Sequence, residues 1–116
     1  MALPRLKKDA SPEEIADLMA QARKASEMLK ALSHETRLLI LCLLSEGEKS
    51  VSEIEDIISL PQATVSQQLA RLRFDKIVTT RREGRLVYYR IADSDVSGVI
   101  ESLYDLFCKP VRNTEG

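Results

Sequence analysis

The chain has 116 residues, 44% hydrophobic and 30% charged, with a formal net charge of -1 and only four glycines and four prolines. That size supports a single domain, spanning 1-116, with a modest core, and the balance excludes a disordered or fibrous protein. No stretch approaches the roughly 18 apolar residues of a bilayer span.

The opening residues, "MALPRLKKDASPEE", lack the apolar run and cleavage site of a secretory signal. The expectation is a cytosolic protein with flexible ends at 1-10 and 110-116. In that compartment its two cysteines, Cys42 and Cys108, rest as thiols.

Ser11, Pro12 and Glu14 form a capping box with proline at the first helical position. Behind it Ile15, Leu18, Met19, Ala22, Ala25, Met28, Leu29 and Leu32 recur at helical steps and predict a long amphipathic helix. A second helix runs from after Ser33 to about Leu44. Its last seven residues, "LLILCLL", are nearly all apolar and predict burial on most sides, Cys42 included. Ser50 and Glu53 make another capping box, opening a short helix with Val51, Ile54, Ile57 and Ile58 inward. A fourth helix starts near Pro61 with Val65, Leu69 and Leu72 as its inner stripe. The pair reads as a helix-turn-helix.

"KIVTTRREGRLVYYRI" is rich in Val, Thr, Tyr and Ile around Gly84, and predicts a β-hairpin with arginines at its tip. Leu86, Tyr88 and Arg90 alternate with Val87, Tyr89 and Ile91. A last helix, about Asp95 to Phe107, takes its cap from Asp93 or Ser94. The fold class is therefore mainly α with a small β-hairpin: a winged helix-turn-helix of five helices. The first and last helices carry more apolar surface than such a core requires, and this predicts a homodimer formed through them.

Charge divides unevenly. Between Pro61 and Ile91 seven basic residues (Arg71, Arg73, Lys76, Arg81, Arg82, Arg85, Arg90) face two acidic ones, a local +5, and the remainder carries -6. One surface thus attracts a polyanion while the rest repels it. The outer side of the fourth helix offers amide and hydroxyl groups to base edges in a major groove. Thr64, Ser66 and Gln67 are its candidate base or nearby phosphate contacts and Arg71 a phosphate contact, with Gln62 a DNA-binding candidate that flanks the face. Arg81, Arg82 and Arg85 at the hairpin tip suit a minor groove or the backbone. A dimer would meet half-sites about 34 to 36 Å apart on an imperfect palindrome of double-stranded operator DNA.

No enzyme, cofactor or membrane role follows from these residues. The one histidine, His34, stands where a helix cap is expected, and no glycine-rich phosphate loop occurs. Two distant cysteines and one histidine make a poor metal set without C-x-C or C-x-x-C spacing.

Taken together, "ALSHETRLLILCLL", "VSEIEDIISLPQATVSQQLARLR" and "GRLVYYRI" resemble the ArsR/SmtB family of homodimeric bacterial transcriptional repressors, from about Ala25 to Cys108. The resemblance implies a repressor that leaves its operator when an inducer binds or reacts. Arsenic- and cadmium-sensing members carry C-x-C before the recognition helix, but "VSEIEDI" has no cysteine. Zinc- and cobalt-sensing members use aspartate and histidine in the last helices, but "DSDVSGVIESLYDLF" has no histidine.

Cys42 and Cys108 match the cysteine pair of the branch that resembles sulfide- and persulfide-responsive repressors. That likeness implies that reactive sulfur species link the two thiols within one subunit through a polysulfur bridge, lowering DNA affinity. The helix C-terminus disfavours a thiolate at Cys108, but Lys109 and Arg112 nearby compensate, and burial among leucines raises Cys42, so Cys108 is the expected first nucleophile and Cys42 the resolving thiol. The pair is expected to stand too far apart for a plain disulfide yet to suit added sulfur atoms. Two rivals stay open: a thiol-oxidation or metal-responsive repressor of the same family, and a winged helix used only for protein contact.

Overall fold

The structure, a computed structural model, describes residues 9-111. The chain forms two units, one holding helix α1 (Pro12–Leu32) up to Lys30 and the other beginning at Ala31. In α1, Ser11 Oγ accepts the Glu14 amide at 3.1 Å, capping the helix as its sequence requires. Ile15, Leu18, Met19 and Leu29 are exposed along it.

The second unit is built around α2 (Glu35–Ser45), which packs against α3 (Val51–Ile58), α4 (Gln62–Phe74) and α5 (Ser94–Leu103). His34 caps α2, its Nδ1 accepting the Thr36 amide at 3.1 Å. Ile40, Leu41 and Leu44 are buried, but Leu39 is 44% exposed and Cys42 half-buried. Burial on most sides is therefore too strong a description of α2 in one subunit, since one stripe of it faces out.

The capping box at α3 is complete: Ser50 Oγ accepts the Glu53 amide at 3.1 Å and Glu53 Oε1 accepts the Ser50 amide at 3.0 Å. These bonds hold the Glu53 carboxyl below its ordinary pKa, the Ser50 backbone amide contributing most. Ser59, left-handed at φ 57°, ends α3 and turns the chain into α4.

Val65, Leu69 and Leu72 are the buried stripe of α4, and Ile54 of α3 joins them in the core. The helix stops at Lys76, left-handed at φ 61°. There the Lys76 amide bonds Arg73 O, and the Ile77 amide bonds Leu72 O, both at 3.0 Å, a Schellman pair.

The hairpin joins β2 (Val78–Glu83) to β3 (Leu86–Ile91) with Glu83 opposite Leu86. Only Gly84, at φ 63°, and Arg85 form the turn; glycine first is the preference of a type II′ connection. Tyr89 is buried and Val87 and Ile91 half-buried, so these residues mark the inner face. A third strand, β1 (Lys49–Ser50), pairs with β3 through Lys49–Tyr89 and Ser50–Tyr88, giving an antiparallel sheet ordered β1-β3-β2.

Asp93 caps α5, its Oδ1 accepting the Asp95 and Val96 amides at 2.8 and 3.2 Å. The helix does not end at Phe107. It widens into a π-helical turn, Tyr104–Cys108, with the Lys109 amide bonded to Tyr104 O, and continues to Val111. Pro110 accounts for the widening: it offers no N–H to the Leu106 carbonyl, and its ring would strike that carbonyl in a regular turn. Cys108 thus lies in the last described turn of this helix, three residues before Val111. The expected flexible ends fall largely outside the described residues, as does Arg112.

Candidate functional site

Two constellations stand out in the second unit. The first is the outer side of α4 with the hairpin. Ser66, Gln67 and Arg71 are exposed and Thr64 is half-buried, on the side away from Val65, Leu69 and Leu72, and Gln62 is exposed at the first position of the helix. Arg71 Nε donates to Asp75 Oδ2 at 3.0 Å, one turn along the helix, with its side chain 63% exposed.

The three hairpin arginines, grouped together by the sequence, separate here. Arg82 and Arg85 are exposed, with no ion pair or hydrogen bond to other described residues. Arg81 is engaged on three sides. Its Nε donates to both Glu48 oxygens at 2.9 and 2.8 Å, and its Nη2 lies 2.7 Å from Glu48 Oε1. Its Nη1 donates to Glu83 Oε2 at 2.8 Å, and its guanidinium carbon sits 4.4 Å from the Tyr88 ring centre.

The sheet explains this cluster. Arg81 and Tyr88 are cross-strand partners, and Glu83 projects from the same face two residues along. Glu48 immediately precedes β1, on the far side of β3, so the arginine reaches over Tyr88 to meet it. The hydrogen bond from Arg81 holds the Glu48 carboxyl below its usual pKa. Glu48 and Tyr88 were not candidate residues. Glu83, two places from Arg81, carried a local signal, but Glu48 is 33 positions away and carried none.

The second constellation is the thiol pair. Cys42 on α2 and Cys108 in the π-helical turn bring their Sγ atoms to 3.9 Å, both half-buried and both free thiols. Burial first, then the adjacent Cys108 sulfur, pushes the Cys42 thiol up to about 11. Ser45 Oγ donates to the Cys42 carbonyl at 2.6 Å, closing the last turn of α2. The expected wide spacing is not found: sulfurs 3.9 Å apart lie within about 2 Å of a plain disulfide. Among the described residues no group of three or more His, Cys, Asp or Glu side chains gathers as a metal site. No helix among them is long and apolar enough to cross a membrane.

Comparison with known proteins adds an independent finding. Residues 34–80 match the family described as "Bacterial regulatory protein, arsR family". The biofilm growth-associated repressor of Agrobacterium fabrum is 43% identical over 99 residues, which make up 83% of this chain and 85% of that protein. Reduced HlyU from Vibrio cholerae superposes with a TM-score of 0.76 at 40% identity, over 80% of this chain and 98% of that one. The transcriptional repressor BigR from Xylella fastidiosa gives 0.76 at 40% identity, over 81% and 93%.

Proposed function

Because this chain belongs to the ArsR family of bacterial regulatory proteins, a family of DNA-binding transcriptional regulators and not enzymes, we propose that it is a sulfur-responsive repressor. It holds operator DNA while Cys42 and Cys108 are thiols and releases it when reactive sulfur species bridge them. The 3.9 Å separation of the two sulfurs carries this reading. Sixty-six residues apart in sequence, they meet across two helices with no metal cluster around them among the described residues.

The chemistry balances with an organic polysulfane, R–S–S–S–S–R, as oxidant. The Cys108 thiolate attacks an inner sulfur and expels one thiol, RSH. Cys42 then attacks the next sulfur of the captured chain and expels the second. Two added sulfurs remain between the cysteines, whose two protons leave with the thiols. Cys108 acts first because Cys42, held up at about 11, is almost wholly protonated near neutrality.

A bridge with added sulfur fits the observed gap. Two S–S bonds of about 2.05 Å at an ordinary valence angle already span about 3.3 Å. The same gap favours one second reading, a thiol-oxidation sensor closing a plain disulfide. Selectivity between the two then lies in which oxidant reaches the thiols, not in distance. Intact mass after polysulfane treatment separates them: two extra sulfurs with two hydrogens lost supports the bridge, and loss of two hydrogens alone supports the disulfide.

DNA contact is assigned to Gln62, Thr64, Ser66, Gln67 and Arg71 of α4, and to Arg82 and Arg85 of the hairpin, on an imperfect palindrome. The exposure of these side chains, Thr64 half-buried among them, and the local positive charge support it. Arg81, the remaining hairpin candidate, has its guanidinium already occupied. The homodimer is assigned to α1 and the end of α5, whose exposed Leu18, Met19, Leu106 and Phe107 need cover. The protein is placed in the cytosol, where its thiols rest reduced.

A further inference from the structure

The Arg81 cluster has no role in the reading above, and its geometry is that of a brace rather than a contact. We infer that Arg81 is a positioning residue: clamped by Glu48 and Glu83, it fixes the wing hairpin against the turn that leaves α2, and phosphates are met by Arg82 and Arg85 instead. This rests on the reading of α4 and the hairpin as the DNA face.

An exposed arginine that binds phosphate needs its fork open. Here Nε, Nη1 and Nη2 are all directed at carboxylates, and the guanidinium lies against Tyr88. Two carboxylates against one guanidinium leave Arg81 without uncompensated charge to offer a phosphate, and Arg90 also acts on Glu48. Two residues of the same hairpin, Arg82 and Arg85, have no such partners among the described residues.

The brace joins elements that the short β1 pairing alone would hold weakly. β1 contributes two residues to the sheet, and Glu48 precedes them directly. Three residues before Glu48, Ser45 closes the last turn of α2 by its bond to the Cys42 carbonyl. The clamp therefore ties the hairpin to the end of the helix that bears Cys42, which gives movement at the thiol pair a physical route to the wing.

The test is the salt dependence of affinity for a duplex enriched by the protein itself from a randomised pool, roughly 30 base pairs to hold two half-sites. An arginine that neutralises one phosphate adds about 0.9 to the slope of log K against log salt, so R82A or R85A should lower the slope by about 1.8 in a dimer. R81A and E48A should each weaken binding several-fold with the slope unchanged, and the double variant should be no worse than either single one.

R81K should behave like R81A, because lysine keeps the charge but cannot reproduce the fork. The exchanged pair, E48R with R81E, should recover much of the wild-type affinity. Three results would overturn the inference: a slope that falls in R81A and is restored in R81K, tighter and steeper binding by E48A, or unaltered affinity in R81A. Wild-type protein with no salt-dependent duplex binding would overturn the reading of the face itself, and this inference with it.

Discussion

At Cys42, burial and the neighbouring sulfur oppose ionisation, and the consequence can be measured. With the thiol up at about 11, roughly one molecule in ten thousand carries the thiolate at pH 7. In the C108S variant, which removes the neighbouring sulfur but keeps the burial, alkylation of Cys42 by iodoacetamide should be slow at pH 7 and still be rising with pH above pH 9. A plateau near pH 9 would mean an ordinary thiol.

The same displacement acts on stability. The folded protein holds this proton more tightly than the unfolded chain, so the contribution is complete below pH 9.0 and is lost as pH climbs from there toward 11. Glu53 has the opposite sign: its lowered carboxyl stabilises above the ordinary 4.5 and ceases to as pH falls through its folded value. Cys42 was legible in the sequence as a helical residue among leucines, but its pairing was not. Only the family resemblance connected it to Cys108, because contact between residues 66 positions apart leaves no periodic trace.

Single elements show where sequence patterns suffice. The inner stripe of α4 and the capping box of α3 are local devices, written within a few residues, and both lie where they were expected. S50A should cost about 1 kcal/mol in urea unfolding by removing the cap that holds the Glu53 amide. Strand β1 escaped notice because two residues cannot show alternation and its partner lies far along the chain.

The π-helical turn was equally invisible, although its cause, Pro110, stands in plain sight two residues after Cys108. P110A supplies the missing N–H and lets the turn tighten, rotating Cys108 by up to about 100°, one residue of α-helix. Bridge formation followed by intact mass should slow by about tenfold or more, with far-UV circular dichroism unchanged. An unaltered rate would show that the widened turn does not set the thiol geometry.

Across the whole molecule, a near-neutral chain conceals a separation of charge, +5 in the segment from Pro61 to Ile91 against -6 elsewhere. That separation was readable at once, and so were the helix-turn-helix and the wing. The division of labour among the arginines was not, since it depends on Glu48 arriving from another element. In the proposed mechanism, bridging Cys42 on α2 to Cys108 beyond α5 strains a dimer whose two wings and recognition helices must match one helical repeat of DNA. Shifting such a dimer from mostly bound to mostly released takes several kcal/mol, within reach of a covalent tether.

The most direct test follows duplex affinity by fluorescence anisotropy, before and after treatment with an organic polysulfane, in wild type, C42S and C108S. Wild type should lose affinity by tenfold or more and regain it on reduction, while both serine variants bind DNA with and without treatment. Release of DNA by a treated serine variant, or an untouched wild-type affinity once mass has confirmed the bridge, would contradict the account.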